Sequence, residues 1–132
     1  MSERKRRFLE RMATATATFI GADSVVVGNI HGSGPFVVSG EVRGDGHLDG
    51  GLNLSSTGIW HGNIEARDAV VAGKIVGALK VKDKLEIGYT AVIHGKVSAR
   101  TIAIAKGAIV DGEISVTSGE PVVEFEERRH VD

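Results

Sequence analysis

Ile93-His94-Gly95-Lys96-Val97-Ser98-Ala99 sets out a seven-residue pattern, apolar-x-Gly-x-apolar-x-small, that returns along most of the chain. The other copies read Val26-x-Gly28-x-Ile30-x-Gly32, Val38-x-Gly40-x-Val42-x-Gly44, Trp60-x-Gly62-x-Ile64-x-Ala66, Val71-x-Gly73-x-Ile75-x-Gly77 and Val110-x-Gly112-x-Ile114-x-Val116. By position they fall into two interleaved series. One runs through Val26, Gly44, Trp60, Gly77, Ile93 and Val110, the other through Val38, Leu54, Val71, Ile87 and Ile104, with steps of 16 to 18 residues. Steps of this size, carried by β-type residues with no helical stretch inside them, mark a solenoid whose turns stack on one another. Within a copy the apolar and small residues share one parity and face inward, while His94, Lys96 and Ser98 face out. Glycine at the third position suits a corner, where the interior is narrow or the backbone needs positive φ.

From Phe19 to Val116 the pattern allows about six turns of about 17 residues, and strands stacked at about 4.8 Å give a body about 28 Å long. Eighteen glycines, two prolines and 5% aromatic residues fit thin strands between tight corners and disfavour a helical bundle. The glycine-rich run Gly44 to Gly51 keeps the parity but loses apolar residues, so a thin turn or a loose corner is expected there. Trp60 is expected in the core, filling the space that turn leaves. Lys80, Lys82 and Lys84 fall outside and read as a solvated face that discourages sheet association. Ile59, Val92 and Ile109 each precede a core residue and suggest a vertical apolar stripe.

The chain of 132 residues has the size of one domain. It contains no cysteine, which removes disulfides and thiolate metal sites and agrees with a cytoplasmic setting. No apolar run is long enough for a membrane-spanning helix, and the start lacks the apolar segment of a secretory signal. The net charge of −1 is unevenly placed. Residues 1–18 form a basic N-terminal tail, 19–116 the β-helix, and 117–132 an acidic C-terminal tail. In the first tail Arg4, Lys5, Arg6, Arg7, Phe8, Leu9 and Met12 make a candidate anchor for an anionic membrane surface. One such tail binds weakly, at about 1 kcal/mol per basic residue, but many on one polymer would bind together. A disordered, solubilising tail reads equally well. Nucleic acid is disfavoured, because one basic cluster without stacking aromatics is a weak footprint. Val122, Val123 and Phe125 could cap the final turn.

The recurring forms Gly62-Asn63-Ile64-Glu65-Ala66, Gly73-Lys74-Ile75-Val76-Gly77, Gly95-Lys96-Val97-Ser98-Ala99 and Gly107-Ala108-Ile109-Val110-Asp111-Gly112, flanked by short irregular tails, resemble the bactofilins, bacterial cytoskeletal proteins. The resemblance spans about residues 19 to 116. It implies a right-handed, triangular parallel β-helix that polymerises without nucleotide into non-polar filaments through contacts between like ends. It further implies action at the inner face of the cytoplasmic membrane, where such proteins shape cells and position cell-wall enzymes. Family members often carry an aromatic residue in the last turn, and Val110 stands at the corresponding place here.

Physical reasoning leads independently to self-association. A solenoid has two open ends, each exposing unpaired strand N–H and C=O groups above an apolar core, and no capping helix is evident at either. Pairing with copies of itself satisfies both, and two-fold contacts between like ends give a filament without polarity. The expected contacts are Phe19, Ile20 and Phe36 near one end and Ile109, Val110, Ile114 and Val116 near the other.

The rival class is an enzyme. Ile87-Gly88-Tyr89-Thr90-Ala91-Val92-Ile93-His94-Gly95 also looks like the hexapeptide repeat of left-handed β-helix acyltransferases and carbonic-anhydrase-like trimers, in which histidines bind zinc or act as base. The six-residue step holds only in pieces. His61 and His94 stand two turns apart, about 10 Å by strand spacing, too far to share one metal, and His31 and His47 have different local settings. No catalytic, cofactor or metal residues are therefore expected. No phosphate-binding Gly-x-x-x-x-Gly-Lys-Ser/Thr occurs, which disfavours nucleotide. Asp45 and Asp49 lack the cleft that glycoside cleavage needs.

Overall fold

The computed structural model describes residues 17–126. The basic cluster Arg4 to Met12, named above as a membrane anchor, lies outside the described residues. The described chain is all β, wound as a parallel solenoid. The first turn is β1 (Thr18–Ile20), β2 (Val25–Val27) and β3 (Ile30–Gly32), and the second β4 (Phe36–Val38), β5 (Glu41–Arg43) and β6 (Gly46–Leu48). The third is β7 (Gly51–Leu54), β8 (Ile59–His61) and β9 (Ile64–Ala66), and the fourth β10 (Asp68–Val71), β11 (Lys74–Val76) and β12 (Leu79–Val81). In the fifth, β13 (Lys84–Ile87) is followed by one long strand, β14 (Val92–Ala99), that covers two faces. The sixth repeats this with β15 (Thr101–Ala105) and β16 (Ile109–Val116), and the chain then returns as β17 (Val123–Phe125).

Every pairing is parallel and joins each strand to its equivalent one turn away, so three faces form. The first is the seven-stranded sheet β1-β4-β7-β10-β13-β15-β17. The second and third share β14 and β16. The six full turns match the number expected, and β17 extends the wound body beyond Val116.

Alternation within each short strand produces the core. Val42, Trp60, Ile75 and Ile93 stack in one inward column at 0% exposure, and Val38, Leu54, Val71 and Ile87 stack at 0% in another. No polar or charged residue is buried among the described residues.

Register corrects one of the two series read from the sequence. The column through Val26, Trp60, Ile93 and Val110 is completed by Val42 and Ile75, not by Gly44 and Gly77. Gly44 and Gly77 belong instead to a corner column with Gly28, Gly62, Gly95 and Gly112, all with φ between 131° and 146°. Gly40 and Gly73, which share the local motif, lie at a different corner. There a Cβ on Gly73 would sit 2.3 Å from the Gly58 carbonyl oxygen, and one on Gly40 would sit 2.2 Å from that of Gly21. Both corners join short strands of the same parity, so both produce the same heptad signature.

The glycine-rich turn is regular rather than loose. Gly46 occupies an inward column otherwise filled by Ile30, Ile64, Leu79, Val97 and Ile114. The indole of Trp60 fills the missing volume, as expected, for a Cβ on Gly46 would lie 2.6 Å from Trp60 Cζ2. Its Nε1–H donates to the Gly44 carbonyl at 2.9 Å, which satisfies the one polar atom of a side chain 0% exposed. Phe36 does the same one turn earlier, covering Gly32, whose Cβ would meet the Phe36 ring at 2.7 Å.

Candidate assembly surfaces

At the N-terminal end β1, β2 and β3 each lack a partner on their outer side among the described residues, which leaves three open strand edges above the core. The outward positions of β1 and β2 in this first turn are apolar. Phe19 is 72% exposed, Val25 59% and Val27 76%. In the second turn the positions paired with Val25 and Val27 are Glu41 and Arg43, which form an ion pair with each other. Val26 and Ile30 are half-buried, with one flank on the core.

Of the residues named for this end from the sequence, Phe19 is the outermost. Ile20 is 8% exposed and Phe36 only 5%, because Phe36 is a second-turn residue lodged beneath Gly32. Val25 and Val27 were not singled out. The signal was the unbroken run Val25-Val26-Val27, which in a strand must put two apolar side chains outside for one inside.

At the C-terminal end, among the described residues, β16 pairs only with β14, through all eight residues, and leaves its other edge open across two faces. Ile109 is 54% exposed and Ile114 39%, whereas Val110 and Val116 are half-buried against the core. The remaining face is covered by β17, whose Phe125 carbonyl accepts from Lys106 N–H at 2.7 Å. The residues expected at this end thus lie on one strand, Val110, Ile114 and Val116 over the inward columns and Ile109 facing out.

The outward stripe expected from Ile59, Val92 and Ile109 is interrupted. Lys74 stands between Ile59 and Val92 in the same column, and Glu41 precedes Ile59. The four histidines among the described residues fall into two columns. His61 and His94 are two turns apart with Val76 between them, as the spacing predicted. His31 and His47, read as having different settings, are direct neighbours with rings stacked at 5.2 Å. His47 Nδ1 also meets Glu65 Oε2 at 2.7 Å. Among the described residues no group of three His, Asp or Glu side chains is placed to hold a metal ion, and no helix is long and apolar enough to cross a membrane.

A solenoid with an apolar core, a glycine-built corner and two unfinished ends defines a class of protein whose distinctive surfaces are its termini, suited to joining like modules. The polymer-forming cytoskeletal family Bactofilin matches residues 18–115, and the chain belongs to that family. A search of the curated proteins produced no match. Among solved structures the chain is similar to the bactofilin of Thermus thermophilus, in the form of an arginine-for-phenylalanine mutant. The two share 29% identity over 67% of this chain and 99% of that one, with a TM-score of 0.65. The chain is thus a member of a polymer-forming cytoskeletal family.

Proposed function

We propose that this protein assembles end to end, without nucleotide, into non-polar filaments that form a scaffold at the inner face of the cytoplasmic membrane. The observation that carries this reading is the pair of open strand edges over a continuous apolar core. Stacking a second copy on either end would pair the orphan N–H and C=O groups and cover Ile109, Ile114 and the first-turn valines at once. Two-fold contacts, N-terminal end to N-terminal end and C-terminal end to C-terminal end, generate a filament without polarity. Phe19, Ile20, Phe36, Ile109, Val110, Ile114 and Val116 mark these contacts. Ile20 and Phe36 contribute from beneath the surface by supporting the first turn.

Ile114→Arg tests the C-terminal contact. Ile114 ends an inward column above Val97 but is 39% exposed at the open end, where a guanidinium can reach water in the monomer, whereas in the assembly it would be buried without a partner. Electron microscopy of the variant should show no filaments, with particles no larger than dimers joined by their N-terminal ends. Wild-type filaments from this variant would remove Ile114 from the interface.

The membrane role rests on Arg4, Lys5, Arg6, Arg7, Phe8, Leu9 and Met12, which would act many at a time along a filament. Co-sedimentation with vesicles containing anionic lipid should deplete the intact chain from solution and leave a chain lacking residues 1–12 in the supernatant. Equal pelleting of the two would sink the anchor. A membrane-bound polymer of this kind would serve cell shape by concentrating cell-wall enzymes or membrane proteins along its length.

A further inference from the structure

The two ends of the solenoid are unequal. At the first turn all three faces stop at the same level, with β1, β2 and β3 as the edges. At the last turn two faces stop at β16, while the first carries one more strand, β17, in register over β15 with Val123 on Ala103, Glu124 on Ile104 and Phe125 on Ala105. This third of a turn is a step about 4.8 Å high. If two such ends met with their steps opposed, the strand order would be β15, β17, β17, β15, which holds the two sixth turns about 14 Å apart. If each step met another face of its partner, the separation would still be about 10 Å. Neither distance lets the open edges of two β16 strands reach the spacing of about 4.8 Å at which strands bond.

The chemistry of the step points the same way. Ile20, Val38, Leu54, Val71, Ile87 and Ile104 form one column through six turns, and the residue in register above Ile104 is Glu124, which is exposed. A C-terminal contact made over this strand would take the exposed Glu124 carboxylate of each copy out of water. Exposed Glu120 and Glu126 add like charge on both sides. The hold of β17 on the body is slight, since it has three residues with Val123 60% exposed and Phe125 only half-buried. Short, exposed terminal pairings of this kind open at low cost.

Building on the end-to-end reading, we propose that β17 is a removable strap, and that a second copy can dock on the C-terminal end only after the strap has left β15. The N-terminal end has no such step among the described residues and pairs first. The population of the strap-free state then sets how readily dimers grow into filaments, and anything that binds residues 120–126 away from the body promotes growth.

The test is a reversible lock. Ala103 and Val123 are register partners on adjacent strands, about 4.8 Å apart, within the Cα range a disulfide bridges. The chain has no other cysteine. The Ala103→Cys, Val123→Cys protein, oxidised, should stop at dimers by light scattering, and the same sample after reduction should form filaments. A chain ending at Ser118 should form sedimentable polymer at a concentration at least tenfold below that of the full chain. Equal assembly of the oxidised and reduced forms overturns the strap and leaves end-to-end assembly standing. Failure of the wild type, the reduced variant and the shortened chain to assemble at any concentration overturns the end-to-end reading and the strap with it.

Discussion

Gly77→Ala should unfold the protein or leave it barely stable, with a loss above about 3 kcal/mol in urea denaturation. Two costs add at this position. The backbone holds φ at +138°, a region L residues rarely enter, and forcing one there costs about 1–3 kcal/mol. The new Cβ would also lie 2.1 Å from the Gly62 carbonyl oxygen, a backbone atom fixed by the turn below. That oxygen cannot yield without lifting a whole turn from its neighbour. Since a domain of this kind has a margin of only about 5–15 kcal/mol, one such substitution consumes a large share of it. Gly51→Ala is the control. It has no positive φ and nothing within 4 Å of its Cβ, so its midpoint should stay within about 1 kcal/mol of wild type. Similar losses in both variants would mean that the glycine corner is not strained.

Trp60→Val should cost about 3–5 kcal/mol, the range for emptying a large aromatic site in a core. The substitution leaves a void over Gly46 and removes the donor to the Gly44 carbonyl. Gly46→Val alone should also destabilise, because its Cβ would sit 2.6 Å from the indole. Combined, the two restore the branched aliphatic pattern of both inward columns, and the double variant should recover about 1–3 kcal/mol relative to the sum of the single losses. Strict additivity would show that the indole does not occupy the Gly46 site. Trp60 is the sole tryptophan, so fluorescence reports the wild type and the Gly46 variant, and circular dichroism serves for all.

Much of this molecule is written locally. Parity in Ile93 to Ala99 assigns the inward side chains, and the structure buries Ile93, Val97 and Ala99 at 1% or less. The absence of any helical period and the recurrence at 16 to 18 residues gave the stacked turns and their number. The exchange of Val42 for Gly44, and of Ile75 for Gly77, arose because the true turns vary from 15 residues (Trp60 to Ile75) to 18 (Val42 to Trp60). A two-residue slip keeps the parity, so an even period passes from one plausible inward position to the next without contradiction. At the assembly surfaces, the strand Ile109 to Val116 was recognisable as terminal because the repeat ends there. Phe36 was placed nearer the end than it lies, since its partner in packing, Gly32, belongs to another face of the turn before.

What the sequence by itself determined, then, is whatever belongs to a single strand or a single corner: the alternation that makes the core, the glycines that let the chain bend, and the count of turns. These depend on φ and on side-chain direction, which neighbouring residues already constrain. Only the tertiary structure decided what depends on hydrogen-bond register between turns. It set Trp60 over Gly46, stacked His31 on His47, broke the apolar stripe with Lys74, and laid Glu124 in a column of isoleucine, valine and leucine. Each joins residues 14 to 20 positions apart across loops of unequal length, and no local rule carries the registration from one turn to the next.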